Sequence, residues 1–208
     1  MLRLSVPRGS CQRMPGSKKT KRRSGRIRIV AGEWRGRRID VADAAALRPT
    51  PERTRETLFN WLTPALPGAR VLDLYAGTGV LGLEALSRGA GHACFVERDR
   101  RLCAGLRGTL SAFAAAARGD VVCGDVFATL GGEARPSDIV FADPPYAAAR
   151  NDELCTLLVG NGWLRPGAYV YLEQGAASPE PCGGDRLRPF RSTRAGGSRA
   201  FLLRYEDG

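Results

Sequence analysis

The stretch Val71-Leu72-Asp73-Leu74-Tyr75-Ala76-Gly77-Thr78-Gly79 decides the fold. Its first five residues are an apolar run too short for a helix and interrupted by one acid, the pattern of a strand buried on both faces of a parallel sheet. Ala76 to Gly79 reads as a glycine turn, and Val80 to Arg88 as the helix after it, stopped by Gly89 as a C-terminal cap. Strand, glycine turn and helix in that order let backbone approach a ligand at the helix N-terminus. Gly77, Gly79 and Gly82 also satisfy G-x-G-x-x-G, and Glu97 stands 20 residues beyond Gly77, so this turn alone leaves a nicotinamide dinucleotide site open.

A second strand signal is Ile139-Val140-Phe141-Ala142, followed at once by Asp143-Pro144-Pro145-Tyr146. The prolines forbid continuation of the strand, so an acid, a rigid turn and an aromatic ring are projected together from its carboxyl end, where open α/β sheets bind ligands. A carboxylate and a fixed carbonyl beside a flat ring suit a planar substrate carrying an NH2 group, with two acceptors for its protons and a surface for its face. Two more acids end strands in the same way: Glu97 after Ala93 to Val96, and Asp125 after Val121 to Gly124. Asp73, Glu97, Asp125 and Asp143 are therefore expected along one edge of one sheet. Charge sign then separates the cofactors. An acid at Asp73 would face a methionine ammonium group, whereas it would sit badly beside a pyrophosphate. Glu97 can accept from both ribose hydroxyls, and Asp125 falls where an adenine amino group would lie.

Taken together, DLYAGTG, Glu97, Gly124-Asp125 and DPPY resemble the class I, Rossmann-like, S-adenosylmethionine-dependent amino-methyltransferases. More narrowly, Arg28 to Ile39 (RIVAGEWRGRRI), Leu47 to Leu62 (LRPTPERTRETLFNWL), Gly82 to Ala90 (GLEALSRGA) and Asn161 to Leu164 (NGWL) are similar to the bacterial 16S ribosomal RNA (guanine-N2)-methyltransferases of the RsmD type. The likeness runs from about Gly25 to the C-terminus. The chain departs from the family in its long N-terminal arm, in Thr78 where serine is common, and between Gly175 and Pro189.

The resemblance implies a seven-stranded, mainly parallel α/β sheet with a C-terminal antiparallel hairpin and a small N-terminal β-hairpin and helix extension. It implies S-adenosylmethionine held by Asp73, Tyr75, Ala76, Gly77, Gly79, Glu97, Arg98, Asp125, Val126 and Asp143. Asp143, Pro144, Pro145 and Tyr146 would be catalytic, and Arg28, Arg35, Arg37, Arg38, Arg48, Thr50, Arg53 and Arg55 would contact RNA. The implied partner is 16S ribosomal RNA within a 30S subunit or an assembly intermediate, and the protein is expected to be monomeric.

Charge distribution agrees with a polyanionic partner. Met1 to Arg38 holds 13 Lys and Arg against Glu33 alone, a net of +12, while the rest of the chain stands at −1. Residues 1–25 form a basic arm with too little apolar content for a core and are expected to be disordered when free; residues 26–208 are expected to form one methyltransferase domain, with 26–64 as its RNA-binding extension. The absence of an 18-residue apolar run and of a signal-like apolar region predicts a cytoplasmic protein with no membrane span. Six cysteines without C-x-x-C spacing and the single histidine, His92, point to reduced structural thiols, no metal site and no histidine-based triad.

Further along, Arg26 to Val30 and Trp34 to Val41 read as a hairpin, and Thr50 as the N-cap of a helix with Pro51 at its first position, running to about Leu62. Leu58, Trp61 and Leu62 would face the core and Arg53 and Arg55 would point elsewhere. Leu102, Leu106, Leu110 and Phe113 give a helical stripe that Ala114 to Ala117 would extend; 152–159 reads as a helix, 167–173 as a strand, and 187–192 with 199–205 as the terminal hairpin. An adenine-N6 DNA methyltransferase or a protein glutamine methyltransferase would use the same DPPY chemistry; the first lacks a recognition domain here and the second has little use for the basic arm. A nicotinamide oxidoreductase leaves DPPY unexplained.

Overall fold

Five strands run parallel and two more close one side of the sheet antiparallel in this computed structural model, which describes residues 25–41, 52–144, 150–178, 184–195 and 197–206. An antiparallel pair comes first, β1 (Gly25–Arg28) with β2 (Arg38–Val41), followed by helix α1 (Glu52–Leu62). The alternation β3 (Arg70–Leu74), α2 (Val80–Ser87), β4 (His92–Glu97), α3 (Arg100–Ala112), β5 (Gly119–Cys123), α4 (Val126–Leu130), β6 (Ser137–Ala142), α5 (Asn151–Gly160) builds the parallel part. β7 (Leu164–Gly175), β8 (Leu187–Ala195) and β9 (Ser198–Tyr205) complete a sheet of order β5-β4-β3-β6-β7-β9-β8. This is the doubly wound α/β sheet the strand signals predicted.

Both faces of the sheet are covered, which is why its central strands are apolar on both sides. One face packs against α1, α2 and α3 through Phe59, Leu83, Leu86, Leu106 and Leu110 against Phe95, Phe141 and Tyr171; the other packs against α4 and α5 through Leu130, Leu154 and Leu158. The chain runs outward from β3 in both directions, to β4 and β5 on one side and to β6 and β7 on the other. The crevice at that reversal lies between the carboxyl ends of β3 and β6.

Several local expectations shift. Helix α3 ends at Ala112 instead of running through the alanines, because Ala114 takes a left-handed conformation (φ 55°) and a short 3-10 turn follows at Ala116–Arg118. The buried face of α1 is Thr54, Arg55, Leu58, Phe59 and Leu62, while Trp61 is only partly buried. This corrects the expectation for Arg55, which shares a line with Phe59 one turn away and is carried inward with it. It is 2% exposed, donates Nη2 to the Arg28 carbonyl at 3.0 Å, and leaves Nε and Nη1 without a partner. Burial lowers its pKa from the ordinary arginine value. Arg48, Thr50 and Pro51, and with them the expected N-cap, lie outside the described residues, as does the arm at 1–24.

The loop between β1 and β2 is fastened to α2 by one buried carboxylate. Glu84, fully buried, accepts the N–H groups of Val30 (2.8 Å) and Ala31 (3.0 Å) and the Nε of Arg88 (2.8 Å). Ser87 adds to the clasp by accepting from Trp34 N (2.9 Å) and donating to Ala31 O (2.6 Å). The approach is so close that a Cβ on Gly32 (φ 83°) would stand 1.8 Å from the Ser87 carbonyl oxygen. Removing the carboxylate would strand three donors. Glu84→Ala is expected to lower unfolding free energy by about 3 to 5 kcal/mol, and Glu84→Gln, which keeps an acceptor but loses the charge, by less. Urea titration of the two variants checks this; equal and small losses would mean that the clasp is dispensable.

Candidate active site at the carboxyl edge of the sheet

Three carboxylates gather where β3, β4 and β6 end. Asp73 is 3% exposed, in the last turn of strand before the glycine loop, and accepts the Gly82 N–H at 2.9 Å. That bond requires glycine at 82: a Cβ there would meet Phe95 Cε1 at 2.3 Å and Asp73 Oδ2 at 3.1 Å. Gly79, at φ 73°, is forced in the same way, since its Cβ would fall 2.4 Å from Leu106. The glycines of the turn thus serve helix-to-sheet contact as much as ligand approach.

Glu97, 9% exposed at the end of β4, organises two loops at once. Its Oε2 accepts Gly77 N at 2.9 Å and its Oε1 accepts Asp99 N at 2.8 Å, while its main-chain carbonyl takes Gly124 N (3.0 Å) and Cys103 Sγ (3.1 Å). Each carboxylate oxygen retains a second lone-pair direction for a ligand hydroxyl. Asp125 is exposed and caps α4 through Ala128 N at 3.0 Å, which leaves one oxygen uncommitted to that cap. Asp143 is half-buried beyond β6 and Pro144 is buried beside it.

Burial pushes the Asp73 carboxyl up to about 8, opposed by the Gly82 hydrogen bond and reinforced by Asp143 and Glu97. A cation placed among these three acids would let Asp73 ionise without leaving like charges uncompensated. Tyr75, the first residue after β3, sits at φ 57°, a conformation costly for an aromatic residue, and burial raises its phenol pKa. Its strain accompanies a turn in which Ala76 N reaches across to the Val96 carbonyl at 3.0 Å.

Comparison with known proteins bears on family and fold. The family model described as Conserved hypothetical protein 95 matches residues 27–204. The protein named Ribosomal RNA small subunit methyltransferase D in Escherichia coli (strain K12) is 45% identical over 150 residues, covering 72% of this chain and 75% of that one. The chain belongs to this methyltransferase family. The solved structure of the Escherichia coli protein yhhF, 37% identical, superposes with a TM-score of 0.81 over 88% of this chain and 100% of that one. An RNA methyltransferase from Salinibacter ruber, solved with S-adenosyl-L-homocysteine, is 17% identical with a TM-score of 0.60 over 77% of this chain and 95% of that one, and shares the fold.

Among the residues singled out as a methyltransferase site, the structure brings Asp73, Tyr75, Ala76, Gly77, Gly79, Glu97, Asp125, Val126, Asp143 and Pro144 to one edge; Arg98 is exposed just after β4. Pro145 and Tyr146 lie outside the described residues. The arginines expected to meet RNA divide. Arg35, Arg38 and Arg53 are exposed, Arg28 pairs with Glu52 at 2.7 Å, and Arg37 donates to the Ala112 carbonyl at 2.7 Å with its guanidinium 4.0 Å from the Phe113 ring centre.

Two features at the same edge escaped sequence reading. Glu173, 3% exposed near the end of β7, accepts from Tyr171 Oη at 2.7 Å, and the next residue, Gln174, accepts from Asn151 Nδ2 at 2.9 Å. Both lie near the end of an otherwise apolar strand, and only the pairing of β7 beside β6 places them next to Asp143. Arg150, stacked 4.0 Å over Phe127 and paired with Glu153, borders the segment after Pro144. No cluster of three or more potential metal ligands occurs among the described residues.

The raised pKa of Asp73 fixes a sign. Its proton is held to about pH 8 in the folded protein but leaves near 3.8 in the unfolded chain, so its contribution to stability is full below about pH 4 and is lost as pH rises through 8. Without cofactor, wild-type unfolding free energy should therefore fall between about pH 4 and pH 8 more steeply than that of Asp73→Asn, which cannot ionise. Parallel curves from urea titrations across that range would show Asp73 already ionised in the fold.

Proposed function

We propose that this chain transfers a methyl group from S-adenosylmethionine to the exocyclic N2 of a guanine in small-subunit ribosomal RNA, acting on a 30S particle or an assembly intermediate as a monomer. The observation that carries this reading is the buried Asp73 beside Glu97, Asp143 and the glycine turn. The named relative in Escherichia coli supports the substrate. Bound S-adenosylmethionine supplies an activated methyl group on a sulfonium centre. Asp73 takes the ammonium end of the cofactor, Glu97 accepts its ribose hydroxyls through the lone pairs that Gly77 N and Asp99 N leave open, and Asp125 accepts from the adenine amino group.

The guanine N2 lone pair is delocalised into the ring and is a poor nucleophile. Asp143 and the Pro144 carbonyl accept hydrogen bonds from its two N–H groups, which draws the lone pair out of conjugation and orients it toward the methyl group, so that the nitrogen–carbon bond would form as the carbon–sulfur bond breaks and S-adenosylhomocysteine leaves. As positive charge grows on the nitrogen, the Asp143 carboxylate stabilises it more than it stabilises the ground state, and then takes up the released proton for transfer to solvent. Tyr146 supplies the stacking face for the flipped or unpaired base. The basic arm and the exposed Arg35, Arg38 and Arg53 hold phosphates.

Incubation with radiolabelled S-adenosylmethionine and, in parallel, 30S particles, protein-free 16S RNA, duplex DNA and a release factor tests the reading. Label is expected in RNA as N2-methylguanosine; label in DNA adenine or in protein glutamine overturns it. Asp143→Asn should slow single-turnover methylation about a hundredfold or more with cofactor affinity kept, because the lost interaction matures only in the transition state. Glu97→Ala should weaken cofactor binding in calorimetry by about 1 to 3 kcal/mol. Unchanged affinity in that variant would remove Glu97 from the site.

A further inference from the structure

The near-neutral charge of the chain beyond its N-terminal segment conceals a second basic element. From Leu187 to Tyr205, the β8 and β9 hairpin, there are five arginines and no carboxylate. Arg188 stands directly opposite Arg204, and Arg194 directly opposite Arg199. Like charges facing each other across antiparallel strands destabilise a sheet. Where the same thing happens in the first hairpin, Arg28 opposite Arg38, Glu52 lies 2.7 Å from Arg28. In the terminal hairpin the ion pair shown is Arg188 with Glu206 at 3.0 Å, both ends well exposed and so weak.

A register shift gathers three of these charges on one face, while Arg194 and Arg199 fall on the other. Residues 188 and 191 would point to opposite faces of a regular strand, but the irregularity between Pro189 and Arg191 sets Arg188 opposite Arg204 and Arg191 opposite Leu202, both on the same side. That side also carries Tyr169, directly opposite Arg204 on β7, and Phe190, whose ring centre is 5.5 Å from that of Tyr169. The Arg204 guanidinium lies 5.7 Å from the Tyr169 ring centre and that of Arg191 5.1 Å from Phe190. Phe190, 42% exposed, is one of only two large apolar side chains left open among the described residues. Tyr169 also walls an open groove of about 380 Å³ reaching Arg165 and Asp138. Arginines on an edge strand guard against aggregation, yet that purpose calls for neither an exposed phenylalanine nor facing arginines.

We propose that the face formed by Arg188, Arg191 and Arg204 with Tyr169 and Phe190 is a second RNA-docking surface, on the flank of the sheet away from β5 and toward its amino end, below the methyl-transfer site. The arginines neutralise phosphates, which turns their mutual repulsion into affinity, and Phe190 stacks on an unpaired base. Tyr169 stands opposite Ile139, four residues short of Asp143, so at about 3.3 Å per residue an RNA gripped here and at Asp143 climbs roughly 13 Å along the strands. The proposal rests on the RNA reading of the active site.

The test uses the full chain with 16S RNA and 30S particles, comparing wild type, the triple variant Arg188→Gln/Arg191→Gln/Arg204→Gln, and Phe190→Ser. Thermal unfolding and calorimetric cofactor affinity, expected unchanged, establish that the variants fold. The triple variant should bind RNA about 10- to 100-fold more weakly near physiological salt and lower the slope of log K against log salt by about 2 to 3, one unit or slightly less per phosphate lost. Phe190→Ser should weaken binding about 5- to 100-fold with the slope retained, the range of one base stack. Methylation at saturating RNA should persist in both. If wild type methylates RNA while both variants keep its affinity and slope, the surface falls and the active-site reading stands. If wild type methylates no RNA, the active-site reading falls, and the surface survives only if the arginine variant still loses RNA affinity. Binding to anionic lipid vesicles in preference to RNA overturns the proposal.

Discussion

Every part of the candidate site depends on a carboxylate kept where water cannot reach it. Asp73 is a residue of the central strand, so the fold itself buries it, and the hydrogen bond it accepts from Gly82 N is possible because position 82 has no side chain. The glycine that lets α2 lie close on Phe95 is thus also the glycine that holds the acid in place. Packing and electrostatics are solved by one atom's absence. Burial first, and the neighbouring acids after it, raise the proton affinity of Asp73, a penalty that a cation bound beside it would lift. A site of this kind selects its ligand by charge before shape: a pyrophosphate would add repulsion where an ammonium or sulfonium group removes it.

The second dependency runs through Glu84. It joins a hairpin at one end of the chain to a helix more than 50 residues away, and it does so with main-chain donors, so the partner side cannot be identified by side-chain type. Arg118 reinforces the arrangement from a third segment, donating to Leu86 O (2.8 Å) and Glu33 (3.0 Å) with its guanidinium 5.1 Å from the Trp34 ring centre. Arg37 does the same against Phe113. Some of the basic charge in this N-terminal unit is therefore consumed in attaching it, and charge alone overstates how much faces a partner.

These particulars explain what was legible in the sequence. Strands β3, β4 and β6 announce themselves because burial on both faces demands unbroken apolar runs, and each ends at an acid, so sheet and edge could be read from local composition. The glycine turn was legible for the same reason: its chemistry is confined to a few consecutive residues. What could not be read depends on distance along the chain. The rotation of α1 that buries Arg55 is set by Phe59 meeting Phe141, a contact between residues 82 positions apart, 5.8 Å between ring centres. The left-handed Ala114 ends α3 although alanine favours helix, because the chain must turn to place Gly119 opposite Ala93. Glu173 looks like any polar strand residue until β7 is paired with β6.

The distribution of charge follows from these constraints taken together. A sheet edge that is acidic to hold a cationic cofactor repels any polyanion that approaches it, and the Debye length of about 8 Å at physiological ionic strength is long enough for Glu97, the half-buried Asp143 and the exposed Asp125 to be felt at the mouth of the site. An enzyme acting on nucleic acid through such an edge needs positive charge close by but outside the cofactor pocket. The described structure has it on both flanks: Arg35, Arg38 and Arg53 around the N-terminal unit, and the arginines of β8 and β9 on the far side of β7. In the mechanism proposed above, the substrate nucleotide between them would meet a carboxylate that stabilises its developing charge, with the phosphates on either side neutralised. On that proposal the acids serve the chemistry and the arginines bring the polyanion to it, those of β8 and β9 set two to three strand widths of about 4.8 Å each from β6, and Arg35, Arg38 and Arg53 carried by elements outside the main sheet.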